Sequence, residues 1–143
     1  MSNQIALLLM SHGGFASAAI ASAELIVGRQ ENVAAIGVVA VDNVADIKSQ
    51  MEQAIAELNT DKGLIILTDI VGGTPMNLAS SQLTHPNVFA CSGLNLPLLL
   101  EVLMSRDGDL QEIWENLPLV YQNGFSLRTQ QDFVSQEDDD DLL

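Results

Sequence analysis

Short apolar runs alternate with helix-patterned stretches along almost the whole chain, and this alternation most constrains what it can fold into. Residues 5–10, 33–39, 64–68 and 88–92 are near-continuous apolar runs, as expected of strands covered on both faces. Between the first two, Phe15–Val27 is alanine-rich and is stopped by Gly28. Residues 44–58 place Val44, Ile47, Met51, Ile55 and Leu58 on one helical face, with Asn43 or Asp42 as the cap. Thr74 and Pro75 read as the N-cap and first residue of a third helix reaching to about Leu83. Asn95-Leu96-Pro97 repeats that grammar and opens a fourth helix toward Arg106, ended by Gly108. Residues 110–120 suggest a fifth, interrupted near Pro118; Tyr121 to Gly124 then reads as a turn before a short strand at residues 125–128.

A repeated strand-helix-strand pattern implies right-handed crossovers and helices on both faces of a parallel sheet. The expected fold is therefore α/β: a doubly wound, mainly parallel four-stranded sheet, flanked by helices, with strand order 2-1-3-4. Ligands of such sheets bind beyond the carboxyl ends of the strands, where the winding reverses between strands 1 and 3. His12 stands in the turn after strand 1, in Ser11-His12-Gly13-Gly14, and Asp69 in the turn after strand 3. The expected order brings them into one crevice.

Length and composition narrow the setting. A chain of 143 residues suits one domain with its own core, which we place at residues 1–130, followed by an acidic, disordered tail at 131–143. The single cysteine, Cys91, cannot form an internal disulfide and reads as a small core residue. No basic segment precedes the first apolar run, which is too short for a signal-peptide core or a membrane span. The cytoplasm is the expected location. A formal charge of −14 with five Lys and Arg argues against nucleic acid or an anionic membrane as partner and suits a basic protein.

A histidine beside a carboxylate has several uses. If Asp69 accepts a hydrogen bond from one ring nitrogen of His12, it fixes the tautomer and leaves the other nitrogen free as base or nucleophile. No cluster with recognisable metal-ligand spacing accompanies the pair, so neither a metal nor another cofactor is expected. Gly13 and Gly14 at the start of the first helix, with Gly72, Gly73 and the Thr74 hydroxyl at the third, would supply donors and positive dipole ends for an anion. A phosphoryl group on His12 would be well held there. Bland readings also exist: an incidental loop histidine, a turn aspartate, and a Thr74-Pro75 pair explained by capping. His85 reads as an exposed turn residue, and Met51, Met76 and Met104 as core filler.

Ser11-His12-Gly13 and the segment Thr68-Asp69-Ile70-Val71-Gly72-Gly73-Thr74-Pro75-Met76-Asn77 together resemble the IIA domain of mannose-family sugar phosphotransferase systems (PTS). The similarity extends through Gly93-Leu94-Asn95-Leu96-Pro97 and Glu101-Val102-Leu103-Met104-Ser105-Arg106 to about Thr129. The resemblance implies that His12 takes a phosphoryl group on Nε2 from the phosphohistidine of HPr and passes it to a IIB protein. It also implies that Asp69 orients the ring, that Thr74 assists by hydrogen bonding, and that a homodimer exchanges the C-terminal strand, here residues 125–128. Two other readings share the fold: the phosphotransfer subunit of a dihydroxyacetone kinase, and a noncatalytic regulatory module.

Overall fold

The computed structural model describes residues 3–134. Strands β1 (Ala6–His12), β2 (Val33–Val38), β3 (Leu64–Thr68) and β4 (Val88–Cys91) form one sheet of order β2-β1-β3-β4, every pair parallel. This is the expected doubly wound order. The central strands, β1 and β3, are buried on both faces, which is why their sequences are apolar without alternation.

The two faces have separate cores. On one, α1 (Phe15–Val27), α4 (Leu96–Ser105) and α5 (Leu110–Asn123) cover Leu7, Leu9, Ile65 and Leu67; on the other, α2 (Val44–Glu57) and α3 (Gly73–Ser80) cover Leu8, Met10 and Ile66. Capping starts two of these helices as the sequence suggests. Asn43 Oδ1 accepts from Ala45 N–H at 2.8 Å, and Asn95 Oδ1 from Leu98 N–H at 2.9 Å. Ile47 and Met51 are buried on α2, whereas Val44 is exposed at the rim of the sheet's carboxyl end.

Several expectations are corrected. Helix α3 begins at Gly73 with Gly72 as N-cap, so Thr74 lies within the first turn and caps nothing. Both glycines have positive φ, 79° and 80°, which lets the chain enter the helix one residue before the Thr-Pro pair. Helix α3 stops at Ser80, and a 3₁₀ turn carries the chain over Ser81–Thr84. Helix α5 continues through Pro118 to Asn123, so only Gly124 remains of the expected turn. The bond lost at proline is one among many, and Ile113 and Leu117 anchor the helix in the core before it, with Trp114 packed edge-on to Phe89.

Residues 125–129 form no strand and do not join the sheet of this chain. Thr129 starts a helical turn at 130–134, its N–H donating to Asp132 Oδ2 at 2.8 Å, so the beginning of the presumed tail is helical. The acidic run from Glu137 to Asp141 lies outside the described residues. Met104 is exposed, one position off the buried face formed by Leu98, Leu99, Val102 and Leu103. Met51 is core, and Met76 packs at its edge. Cys91 is half-buried because β4 is an edge strand, and burial pushes its thiol pKa up. His85 is exposed after the 3₁₀ turn.

At the end of the sheet remote from His12, Arg106 is fully buried. Nη1 donates to the carbonyls of Ile5 and Asn32, each at 3.2 Å, and Nη2 to Gln4 Oε1 and Gln30 Oε1 at 3.2 and 2.9 Å. This guanidinium ties α4 to the entries of β1 and β2. Arg106→Leu keeps most of the volume but strands those acceptors. It should destabilise the fold by about 2 kcal/mol, measured by urea unfolding, with phosphate chemistry at the distant His12 retained in the folded fraction.

Candidate functional site

His12 is the last residue of β1, paired in register with Val38 of β2, and Asp69 follows β3 directly. Adjacent strands ending at the same level bring together two residues far apart in sequence. His12 N–H donates to Asp69 Oδ2 at 2.8 Å, and Nδ1 lies 2.7 Å from the same oxygen. Asp69 Oδ1 accepts from Ile70 N–H at 3.0 Å. An ionised carboxylate can only accept, so Nδ1 carries the ring proton and Nε2 holds the lone pair.

Burial works to raise the Asp69 pKa, but hydrogen bonds from the His12 backbone and ring, a further one from Ile70, and the charge of the ring outweigh it. The carboxyl is held below its ordinary 3.8. Asp69 is thus anionic throughout the neutral range. Its side chain is 14% exposed, whereas that of His12 is 52% exposed. A partly buried anion steadies a ring that is itself half-exposed.

Three contacts fix the backbone that presents the ring. Ser11, fully buried, accepts from Ala16 N–H at 2.8 Å and so caps the first turn of α1 in place of Gly14. Gly13 N–H donates to the Val38 carbonyl at 2.7 Å. Gly37 on β2 leaves room for this crossing: a Cβ there would come within 2.2 Å of the Gly13 carbonyl oxygen. The Ser11 and Gly37 contributions escape a sequence reading, since neither residue type announces its contact with the segments around it.

The glycine-rich segments do different things. The Gly13 N–H is engaged, whereas those of Gly14, Gly73 and Thr74 make no hydrogen bond among the described residues. Gly73 lies against the ring: a Cβ on it would stand 3.3 Å from His12 Cε1 and 3.6 Å from Nε2. Thr74 lines a cleft of about 500 Å³ with His12. The free nitrogen therefore faces the open end of α3, where unpaired N–H groups and the helix dipole favour an anion.

Gly73→Ala tests that proximity. The methyl group presses on Cε1 and stands in contact with Nε2, where the phosphoryl group must arrive, and φ of 80° is strained for alanine. Phosphate uptake by His12 should slow about tenfold at a stability cost of about 1 kcal/mol, read by phosphorylation kinetics and thermal denaturation. Among the described residues there is no group of three or more His, Cys, Asp or Glu able to hold a metal, and no helix long and apolar enough to cross a membrane.

The chain has clear relatives among known proteins. The EIIA-man family, described as the PTS system fructose IIA component, matches residues 6–117. The mannose-specific EIIAB component of Escherichia coli K12 is 38% identical over 108 residues, covering 73% of this chain and 33% of the relative. The chain thus spans about a third of that relative's length. The fructose-specific EIIA component of Bacillus subtilis is 30% identical over 125 residues, 86% of each protein. The mannose/sorbose-specific IIA subunit of Enterococcus faecalis has a TM-score of 0.79 and 28% identity, over 88% of this chain and 96% of that one.

Proposed function

This chain belongs to the EIIA-man family of PTS IIA components, and from that premise we propose that it is a cytoplasmic phosphocarrier for sugar uptake, working through a phosphohistidine at His12. The donor is phospho-HPr and the acceptor a IIB protein. The observation that carries this reading is the division of labour on the ring: Nδ1 is held 2.7 Å from Asp69, while Nε2 stands open beside Gly73 and the N-terminus of α3.

The chemistry follows from that division. The Nε2 lone pair attacks phosphorus as the bond from phosphorus to the donor's histidine breaks, and that electron pair stays with the donor's imidazole. Positive charge develops on the His12 ring, and the Asp69 carboxylate stabilises it through the shared Nδ1 proton. N–H groups of Gly14, Gly73 and Thr74, with the Thr74 hydroxyl, receive the phosphoryl oxygens. Gly13 and Gly72 shape the two turns. Return of the phosphoryl group to IIB reverses these steps, and no metal or other cofactor enters them.

The surroundings of His12 suit protein partners. Phe15, Val39, Val41, Val44, Ile70 and Val71 are exposed apolar residues from the segments around the ring, a surface fit for docking another protein. The same reading includes a homodimer in which residues 125–128 of one copy add to the open edge of β4 in the other. Phe125 and Leu127, both 74% exposed, and an apolar cleft of about 590 Å³ between β4 and α5 support that exchange.

Incubation with phosphoenolpyruvate, the general phosphotransferase and HPr, followed by addition of IIB, tests the relay. Phosphate should appear on this chain and then pass to IIB. Failure to take phosphate from HPr would refute the reading; uptake without transfer to any IIB, but with transfer to a kinase-bound nucleotide, would assign the chain to dihydroxyacetone phosphorylation instead.

A further inference from the structure

A phosphoryl group brings negative charge into the His12 cleft, yet the residues lining that cleft include no lysine or arginine. The chain has five such residues in all: Arg29, Lys48, Lys62, Arg106 and Arg128. Arg106 is buried at the far end of the sheet. Lys48 lies one turn beyond Val44 on α2, exposed and outside the lining. The charged side chain that does line the cleft, apart from the reactive histidine, is an acid, Asp42.

Asp42 is fixed in place. Its Oδ2 accepts from Val39 N–H at 2.8 Å, and its own N–H donates to the Val39 carbonyl at 3.0 Å. It is half-buried and makes no ion pair among the described residues. Asp42 thus lines the same cleft as His12, while Asp69, which is not in that lining, holds the ring at Nδ1. Asp69 bonds the ring directly, whereas among the described residues Asp42 hydrogen-bonds only within its own loop.

We propose that Asp42 is a specificity-determining residue that repels free anionic phosphate compounds from His12, reserving the histidine for a phosphoryl group delivered by a protein that carries its own neutralising cations. This rests on the phosphocarrier reading above and extends it to the class of donor. A small phosphodonor must enter a cleft whose fixed charge is negative and meets no compensating cation. A protein donor excludes water on docking and brings positive side chains with it, so the same carboxylate penalises it little. The effect protects the relay from unregulated charging by phosphorylated metabolites.

Asp42→Asn isolates the charge, because the amide oxygen can still accept from Val39 N–H and keep the loop. The probes are acetyl phosphate, a dianion near neutral pH, phosphoramidate, a monoanion, and phospho-HPr. With acetyl phosphate, acetate leaves with the bridging electron pair as Nε2 bonds to phosphorus; with phosphoramidate, whose monoanion already bears three protons on nitrogen, ammonia leaves with the electron pair of the P–N bond. At low ionic strength the variant should be labelled about three- to tenfold faster by acetyl phosphate, the size expected of one unit charge lining the same water-filled cleft. Phosphoramidate should gain less, and the gain should fade as salt screens the charge. Labelling by phospho-HPr should stay within about twofold, as expected where docking supplies the cations.

Equal acetyl phosphate rates in the variant and the wild type, or a gain indifferent to salt, would overturn the role of Asp42 and leave the carrier reading standing. Absence of wild-type labelling by phospho-HPr would overturn the carrier reading, and the inference with it.

Discussion

His12→Ala should accept no acid-labile phosphate from phospho-HPr while keeping its fold. Among the described residues no other nucleophile is placed to substitute. Asp69 spends both oxygens on N–H donors, and Thr74 offers a hydroxyl without a base. The side chain removed is half-exposed and outside both cores. Its loss should therefore shift stability by no more than about 1 kcal/mol. Intact-protein mass spectrometry after incubation reads the first effect, and thermal denaturation the second. A variant that is still labelled would place the acceptor elsewhere; one that does not fold would require repetition with His12→Gln, which should also stay unlabelled.

Asp69→Asn should slow phosphate acceptance on the order of 100-fold, through the tautomer and the charge together. One Asp69 oxygen receives both the backbone and ring donors of His12, and the other receives Ile70 N–H. An amide has one accepting oxygen. Turned toward His12, it sets its NH₂ against the Ile70 donor; turned toward Ile70, it sets NH₂ against the histidine and favours the wrong tautomer. In either orientation the negative charge that stabilises the ring during transfer is gone. Rapid-quench measurement of labelled His12 distinguishes this from wild-type behaviour, and an unchanged rate would remove Asp69 from its orienting role.

The parts of this site that could be read in the sequence are those that follow from strand order. Residues 5–10 and 64–68 are apolar throughout, which marks strands buried on both faces; neighbouring parallel strands then bring their carboxyl ends, and so His12 and Asp69, together. What could not be read depends on contacts between segments. Thr74 looked like a cap because Thr-Pro is a local signal, but the positive φ angles of Gly72 and Gly73 start the helix earlier. Gly13 looked like an anion donor, yet its N–H is turned to Val38 by β2.

Pro118 suggested a break that the packing of Ile113 and Leu117 overrides. Residues 125–128 are a short, weakly patterned strand candidate, and within one chain they join no sheet. Arg106 offered no local sign that it would be buried with carbonyl and amide partners from distant segments. Asp42 reads locally as a helix-cap candidate, and only the fold shows that it lines the same cleft as His12.

The central claim is that His12 carries phosphate on Nε2 while Asp69 holds Nδ1. Nitrogen-15 and phosphorus-31 NMR of the ring-labelled chain, after charging by phosphoenolpyruvate, the general phosphotransferase and HPr, tests it most directly. The account predicts phosphorus coupled to Nε2 of His12, with Nδ1 protonated and hydrogen-bonded to Asp69. Phosphorus on Nδ1, or on any residue other than His12, would contradict it.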